Sequence, residues 1–251
     1  MVEKTEKIAK SLITDSTELM PHFPYLLQDI WEFNANCADI IELIFKHIPK
    51  VKRVNILDLA CGKGDISIKI AKELSGKIKG VDREAAFIEY AIAKANEYGV
   101  NEFVNLEAKD LLKAVEEEKN YDLVIAGNIG EVFGKPIDTL KQITKTIKPN
   151  GYLIYSDAFS YDSVYCPTKK EWQKIFNDAG YLIISEKTLN ENELIIFNRN
   201  NQDYIINRAN ELTDKYPLKA KLFNKYIEAQ EQRNELLEND IIGVTWLLQR
   251  K

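Results

Sequence analysis

Between Val54 and Asp157 the apolar positions follow two alternating rhythms. Short apolar runs bounded by turn residues occur at Val54-Asn55-Ile56-Leu57-Asp58-Leu59, Lys77-Ile78-Lys79-Gly80-Val81-Asp82, residues 102–107, Tyr121-Asp122-Leu123-Val124-Ile125-Ala126 and Tyr152-Leu153-Ile154-Tyr155. Between them lie stretches with a helical period. One covers residues 66–74 and closes at Ser75-Gly76. Another covers 84–98, with Ala85, Ile88, Ala91, Ile92 and Ala95 on one face and Gly99 as its stop. A third covers 137–147, before the turn signal Lys148-Pro149-Asn150-Gly151. Strands alternating with helices predict an α/β fold, a doubly wound, mostly parallel sheet covered by helices on both faces. Ligands of such sheets bind beyond the carboxyl ends of the strands, near the point where strand order reverses. That directs attention to the chain just after Leu59, Val81, Leu106 and Ala126.

The flanks read differently. Residues 1–50 are expected to form an N-terminal helical lid. It holds a helix at 3–14, the aromatic stretch Pro21-His22-Phe23-Pro24-Tyr25-Leu26-Leu27-Gln28-Asp29-Ile30-Trp31, and a second helix at 36–47 stopped before Pro49. Residues 51–189 are expected to be the core. Residues 190–240 carry two helical patterns and no strand, one with Ile205, Ile206, Ala209 and Leu212, the other with Leu222, Phe223, Tyr226, Ile227 and Leu237. They are expected to form a helical cap inserted before the last core strand, which lies within 241–251. That segment, Val244-Thr245-Trp246-Leu247-Leu248, reads as a strand.

Composition narrows the class. With 251 residues, 45% of them hydrophobic, the chain can bury one large core, and 29% charged residues with few Gly or Pro argue against disorder. A net charge of −5 with Lys and Glu interspersed makes a nucleic-acid partner unexpected. No apolar run reaches the roughly 18 residues of a membrane span, and the charged start Met1–Lys7 does not read as a secretory signal. Cys37, Cys61 and Cys166 stand apart with no CxxC spacing, as free thiols of a reducing compartment would. A cytoplasmic protein, monomer or homodimer, is the expectation, with no membrane partner. No metal site is expected, because His and Cys ligand clusters are absent.

The candidate chemistry lies at Asp58-Leu59-Ala60-Cys61-Gly62-Lys63-Gly64-Asp65, after the first strand and before a helix. Gly62 and Gly64 allow a sharp turn and close approach of a ligand, and the helix that follows offers free N–H groups. Asp82 ends the second strand, where a carboxylate can accept from both ribose hydroxyls. Dinucleotide enzymes share this arrangement, but two details differ. Ser67 holds the place of the third glycine, and the acid Asp58 stands at the strand end, where it would repel a pyrophosphate and attract a cationic ligand.

These segments resemble the class I S-adenosylmethionine-dependent methyltransferases. Ile56–Gly64 is similar to their first motif, Gly80-Val81-Asp82 to the second, and Ala108-Lys109-Asp110-Leu111 to the acidic motif after the third strand. Tyr121–Asn128 is similar to the fourth, and residues 140–155 to the helix, turn and fifth strand that follow. The likeness spans about residues 54–188 and implies the Rossmann-like methyltransferase fold, a seven-stranded sheet in which the last strand, at 244–248, pairs antiparallel with residues 181–186. Ala60 departs from it, standing where the family has glycine. The resemblance implies that Asp58 anchors the cofactor amino group and that Ala60, Gly62 and Gly64 line its methionine and ribose. It implies that Asp82, with Arg83 beside it, holds the ribose, and that Asp110 and Leu111 meet the adenine. Asn128 would lie near the sulfonium.

Asn128-Ile129-Gly130 lacks the Asn/Asp-Pro-Pro-aromatic signature of adenine or glutamine methylation, and no Pro-Cys pair stands there for a covalent cytosine mechanism. A small-molecule acceptor methylated at O, N, S or C is the expectation, by in-line displacement that leaves S-adenosylhomocysteine. Where the acceptor must lose a proton, the candidate bases are Asp157, His22, Tyr25 and Tyr161. Structural roles stand beside the functional ones. Asp82 and Asp110 could cap the helices that follow them, and Lys215, Lys219, Lys221 and Lys225 read as a solvated helix face. Two other functions remain open: a protein that binds S-adenosylmethionine without catalysis, and a nicotinamide-dependent oxidoreductase.

Overall fold

The computed structural model describes residues 18–33, 37–48, 54–74, 76–127, 129–130 and 132–251. The expected helix at 3–14 and Asn128 lie outside them. After a 3-10 turn at Met20–His22 comes a short helix α1 (Phe23–Leu26), then α2 (Cys37–His47). The core follows as β1 (Asn55–Leu59), α3 (Asp65–Leu74), β2 (Lys77–Asp82), α4 (Ala85–Glu97), β3 (Val104–Ala108), α5 (Leu111–Glu117), β4 (Tyr121–Gly127), α6 (Pro136–Thr144), β5 (Ile147–Phe159), α7 (Lys169–Asp178) and β6 (Tyr181–Thr188). A helical hairpin, α8 (Glu191–Lys215) and α9 (Ala220–Asn239), separates β6 from β7 (Ile242–Arg250).

The sheet runs β3-β2-β1-β4-β5-β7-β6. β1 pairs parallel with both β2 and β4, so the strand order reverses between β1 and β4. β7 alone runs against its neighbours: Asp157 faces Val244 across β5 and β7, and Glu186 faces Trp246 across β6 and β7. The expected antiparallel insertion of the last strand is therefore observed.

Strand alternation splits the core into two layers, because successive side chains leave a sheet on opposite faces. Leu57, Leu59, Val124 and Ala126 point to one side, where Leu140, Ile143, Trp172 and Phe176 of α6 and α7 cover them. Ile56, Leu123 and Ile125 point to the other, against Ile40 and Ile44 of α2 and Ile66 and Ile70 of α3. A third cluster ties the segment around α1 to the hairpin through Leu26, Ile30, Ile205, Ala209, Leu212, Phe223 and Tyr226.

Two boundaries differ from expectation. The helix expected at 137–147 ends at Thr144, and the expected turn at 148–151 lies inside β5. Asn150 takes a φ of 60°, the left-handed value that the turn signal anticipated, and across it the pairing with β4 jumps from Ile147 to Tyr152. β5 also runs on to Phe159, because β7 supplies pairing partners as far as Ile242.

Candidate functional site

The loop between β1 and α3 stands at the reversal point of the sheet. Its backbone takes positive φ at Ala60 (59°), Gly62 (54°) and Gly64 (74°). An alanine there carries strain of about 1 to 2 kcal/mol, which explains why glycine suits the position better. A Cβ at Gly62 would stand 2.8 Å from a ring carbon of Phe33. Two bonds pin the loop to β2: the Cys61 N–H donates to Val81 O at 3.0 Å, and the Gly62 N–H donates to Asp82 Oδ2 at 2.9 Å.

Asp82 does not cap the helix that follows. Its Oδ1 accepts from the Glu84 N–H at 2.9 Å, and Glu84 itself is the cap of α4. Two lone-pair sites of the carboxylate remain open, and the residue is half-buried. Asp110 does cap α5, accepting from the Leu112 N–H at 2.9 Å, and is exposed, with Leu111 buried behind it. Arg83 is exposed beside Asp82.

Beneath the loop lie two enclosed carboxyls. Asp58 is 3% exposed and accepts from Ser67 Oγ at 2.7 Å. That bond explains the missing third glycine: Ser67 uses its side chain to tie α3 to the strand end. Asp65, at the start of α3, leaves Oδ2 enclosed without a hydrogen-bond partner among the described residues. Burial pushes both carboxyls up to about 7. Asp157 on β5 is pushed up to about 6, again by burial, although its Oδ1 accepts from the Ala158 N–H at 2.8 Å and its Oδ2 from Tyr155 OH at 3.3 Å.

These shifts set a pH dependence. Groups that hold protons more tightly when folded stabilise the fold at low pH, and the contribution is lost as pH rises through the folded value. Asp58, Asp65 and Asp157 therefore make the protein less stable as the pH rises from about 5 to about 7.5. His22 works the other way, since its folded value is lowered by burial and by Lys219 and Lys215, but it is one group against three. The carboxylates held low by cationic partners, such as Asp29 with Arg208 and Glu107 with Lys79, lose their contribution only at more acid pH. Thermal unfolding of the ligand-free protein is expected to show a higher midpoint at pH 5.5 than at pH 7.5. A midpoint that rises over that interval would contradict buried, protonated carboxyls at the loop.

Lys63 is the feature of the loop that its sequence did not announce. It is 2% exposed, and its ammonium donates to the carbonyls of Leu27, Gln28 (3.1 Å) and Ile30 (2.7 Å). Its Nζ also lies 4.6 Å from the centre of the Tyr90 ring and 5.6 Å from that of Phe87. Burial lowers its proton affinity to about 8, with Asp29 opposing the shift, and three carbonyl acceptors keep the ammonium form at neutral pH. The Trp31 indole N–H returns a bond to Lys63 O at 3.2 Å. The segment from Phe23 to Phe33 is thus strapped over the glycine loop. The other side of the strap is held by the hairpin, where Arg208 donates to both carboxylate oxygens of Asp29, at 2.6 and 3.0 Å.

The four candidate bases fall in two places. His22 packs against Tyr216 and Phe223 and lies 3.2 Å from Lys219 Nζ, while Tyr25 OH donates to Glu211. Both face the hairpin. Asp157 sits near the carboxyl end of β5, and Tyr161, 85% exposed, follows that strand. Burial pushes Cys37 up to about 12 and Cys166 up to about 11, so neither offers a thiolate at neutral pH.

With this geometry in view, comparison with known proteins adds the following. A family model described as a methyltransferase domain matches residues 50–180. A malonyl-(acyl-carrier protein) O-methyltransferase of Halalkalibacterium halodurans is 27% identical over 44% of this chain and 41% of its own length. A ribosomal protein L11 methyltransferase of Dictyoglomus turgidum is 36% identical over 42% of this chain and 33% of its own. The chain thus matches less than half the length of these two curated relatives. The crystal structure of a SAM-dependent methyltransferase from Thiobacillus denitrificans, in complex with S-adenosyl-L-homocysteine, is similar with a TM-score of 0.74 at 15% identity, covering 91% of this chain and 98% of that one. At that identity the likeness concerns the fold.

Proposed function

Since the chain belongs to the methyltransferase domain family, we propose that it transfers a methyl group from S-adenosylmethionine to a small-molecule acceptor. One observation carries this reading: Asp82, at the end of β2, accepts from the Gly62 N–H of the loop that stands at the reversal point of the sheet, while Asp58 lies beneath the same loop. The donor groups suit the cofactor. Asp82 keeps lone pairs for ribose hydroxyls, Gly62 and Gly64 present backbone without side chains, and Asp58 and Asp65, which hold their protons to about pH 7 in the free protein, would ionise beneath a cationic methionine end. No diphosphate would be favoured over that acid.

When bound, S-adenosylmethionine supplies a methyl group on an already activated sulfonium. The protein then has to align the acceptor and exclude water. The strap tied down by Lys63 shields the loop side, and the hairpin covers the carboxyl edge of β5. In this reading the hydroxyl or amine of an acceptor is deprotonated by Asp157, whose raised proton affinity suits a base working near neutral pH. Asp110 with Leu111, Arg83 and Asn128 complete the proposed cofactor contacts. By their names, the two relatives given above act on a malonyl-(acyl-carrier protein) and on ribosomal protein L11. The hairpin at 190–240 is what argues here for a small, enclosed acceptor instead.

Calorimetric titration tests the reading. S-adenosylhomocysteine is expected to bind with micromolar affinity and NAD not to bind, with dissociation constants at least about a hundredfold apart. Binding of NAD in preference would return the oxidoreductase alternative. Binding of S-adenosylmethionine with no labelled methyl transfer to any acceptor in a broad panel would leave a binding protein.

A further inference from the structure

The inner ridge of α9 runs through Phe223, Tyr226, Gln230, Arg233 and Leu237, at the three- and four-residue spacing of one helix face. It is fully buried only as far as Tyr226. From Gln230 to Asn239 no residue of the helix is fully buried, so this half of the face is more accessible to solvent than the first. Tyr226 is 5% exposed, and its ring meets Phe23 of the strap edge-on at 5.5 Å. Arg233 lies two turns further along the same ridge and is half-buried.

Neither polar head is matched among the described residues. Among the described residues, the Tyr226 hydroxyl and the Arg233 guanidinium have no hydrogen bond or ion pair. Neither is sealed in either, since the one enclosed side-chain N or O atom without a partner among those residues is Asp65 Oδ2. Both therefore remain accessible to solvent. Arg208 and Arg250 behave differently: the first is paired with Asp29 and Glu211, the second donates to the carbonyls of Thr144 and Ile147. Burial lowers the proton affinity of Arg233, with Tyr226 as its titratable neighbour and no carboxylate beside it.

The location fits the reaction. α9 ends at Asn239 and the chain enters β7 at Ile242, opposite Phe159 at the carboxyl end of β5, the strand that carries Asp157. Arg233 stands about 9 Å along the helix axis from that end. A desolvated cation without a counter-charge is unfavourable in the free protein, and its planar fork matches a carboxylate or a phosphate.

We propose that Arg233 and Tyr226 form the anion-binding end of the acceptor pocket, so that the acceptor is a small molecule bearing a carboxylate or a phosphate group. The proposal rests on the methyl-transfer reading. Sites built to pair a charged group reject neutral analogues strongly, because the protein's own groups are then left unpaired.

The test uses the full-length protein saturated with S-adenosylhomocysteine and titrated with benzoate, succinate and inorganic phosphate in turn. At least one probe is expected to bind, and the one that does distinguishes carboxylate from phosphate. Its affinity is expected to fall at least about tenfold in Arg233→Met, to recover in part in Arg233→Lys, and to fall about threefold in Tyr226→Phe. S-adenosylhomocysteine affinity, unchanged in all three variants, shows that each is folded. Probe affinity unaffected by Arg233→Met, or no binding of any probe to the loaded wild-type protein, would overturn the proposal. Failure of S-adenosylhomocysteine to bind the wild-type protein would instead overturn the methyl-transfer reading.

Discussion

Lys63→Met is expected to lower the unfolding free energy by about 3 kcal/mol, a large part of a typical domain's stability. The ammonium supplies bonds to three carbonyls of the strap, those of Leu27, Gln28 and Ile30, in a place 2% exposed. Methionine fills similar space and removes every donor. Each buried carbonyl left bare costs about 1 to 3 kcal/mol, partly offset because a buried charge no longer has to be desolvated. Of the strap's other polar holds, the ion pair of Asp29 with Arg208 is about a third exposed on each side chain and contributes at most about 1 kcal/mol. The strap should therefore open before the sheet does. Urea unfolding gives the magnitude, and limited proteolysis gives the place: cleavage between residues 18 and 33 is expected to accelerate in Lys63→Met and much less in Lys63→Arg. A loss below about 0.5 kcal/mol, the size of an ordinary surface substitution, would mean that the strap is held by contacts other than the Lys63 ammonium.

Asp82→Ala is expected to weaken S-adenosylhomocysteine binding about a hundredfold, or about 2.7 kcal/mol. Two losses combine. In the proposed site the carboxylate accepts from ribose hydroxyls, and charge-assisted bonds of this kind contribute about 1.5 to 3 kcal/mol each. In the free protein the same carboxylate positions the loop, through the Gly62 N–H at 2.9 Å and the Glu84 N–H at 2.9 Å. Asp82→Asn separates the two effects, since its amide oxygen can keep one of the backbone bonds while the charge is lost. The alanine variant should bind more weakly than the asparagine variant, and both more weakly than wild type. A loss smaller than about tenfold for alanine, measured by calorimetry, would remove Asp82 from the cofactor site.

Much of the architecture was legible because it is local. The period-two runs around Ile56 and Leu123 mark β1 and β4, and the helical faces at 66–74 and 84–98 mark α3 and α4 to within a residue or two. The antiparallel place of β7 was not local: it was expected from the resemblance to the methyltransferase fold, and the sheet order bears it out. The boundary of α6 was misjudged because Ile143, Ile147 and Leu153 continue an apolar pattern across the change from helix to strand, and the pairing of Tyr121 with Ile147 decides it. At the site, Asp58, Gly62, Gly64 and Asp82 could be singled out from spacing and residue type. Lys63, Ser67 and Arg233 could not. The available signals were weak: a lysine between two glycines, a serine in place of a glycine, and an arginine on an otherwise apolar ridge.

The order of elements, the position of the glycine loop at the end of a buried strand and the acids that flank it follow from the amino-acid pattern alone, because a backbone's period and a turn's residue types are set within a few neighbours. What Lys63 grips, why Ser67 stands where a glycine could, how far Asp58 and Asp65 are withdrawn from water, and which face of α9 is left open were decided by the tertiary structure. Each depends on chain segments tens of residues apart meeting at one loop. Burial and the loss of alternative partners there, which no local pattern encodes, fix the protonation and the pairing of the groups that do the chemistry.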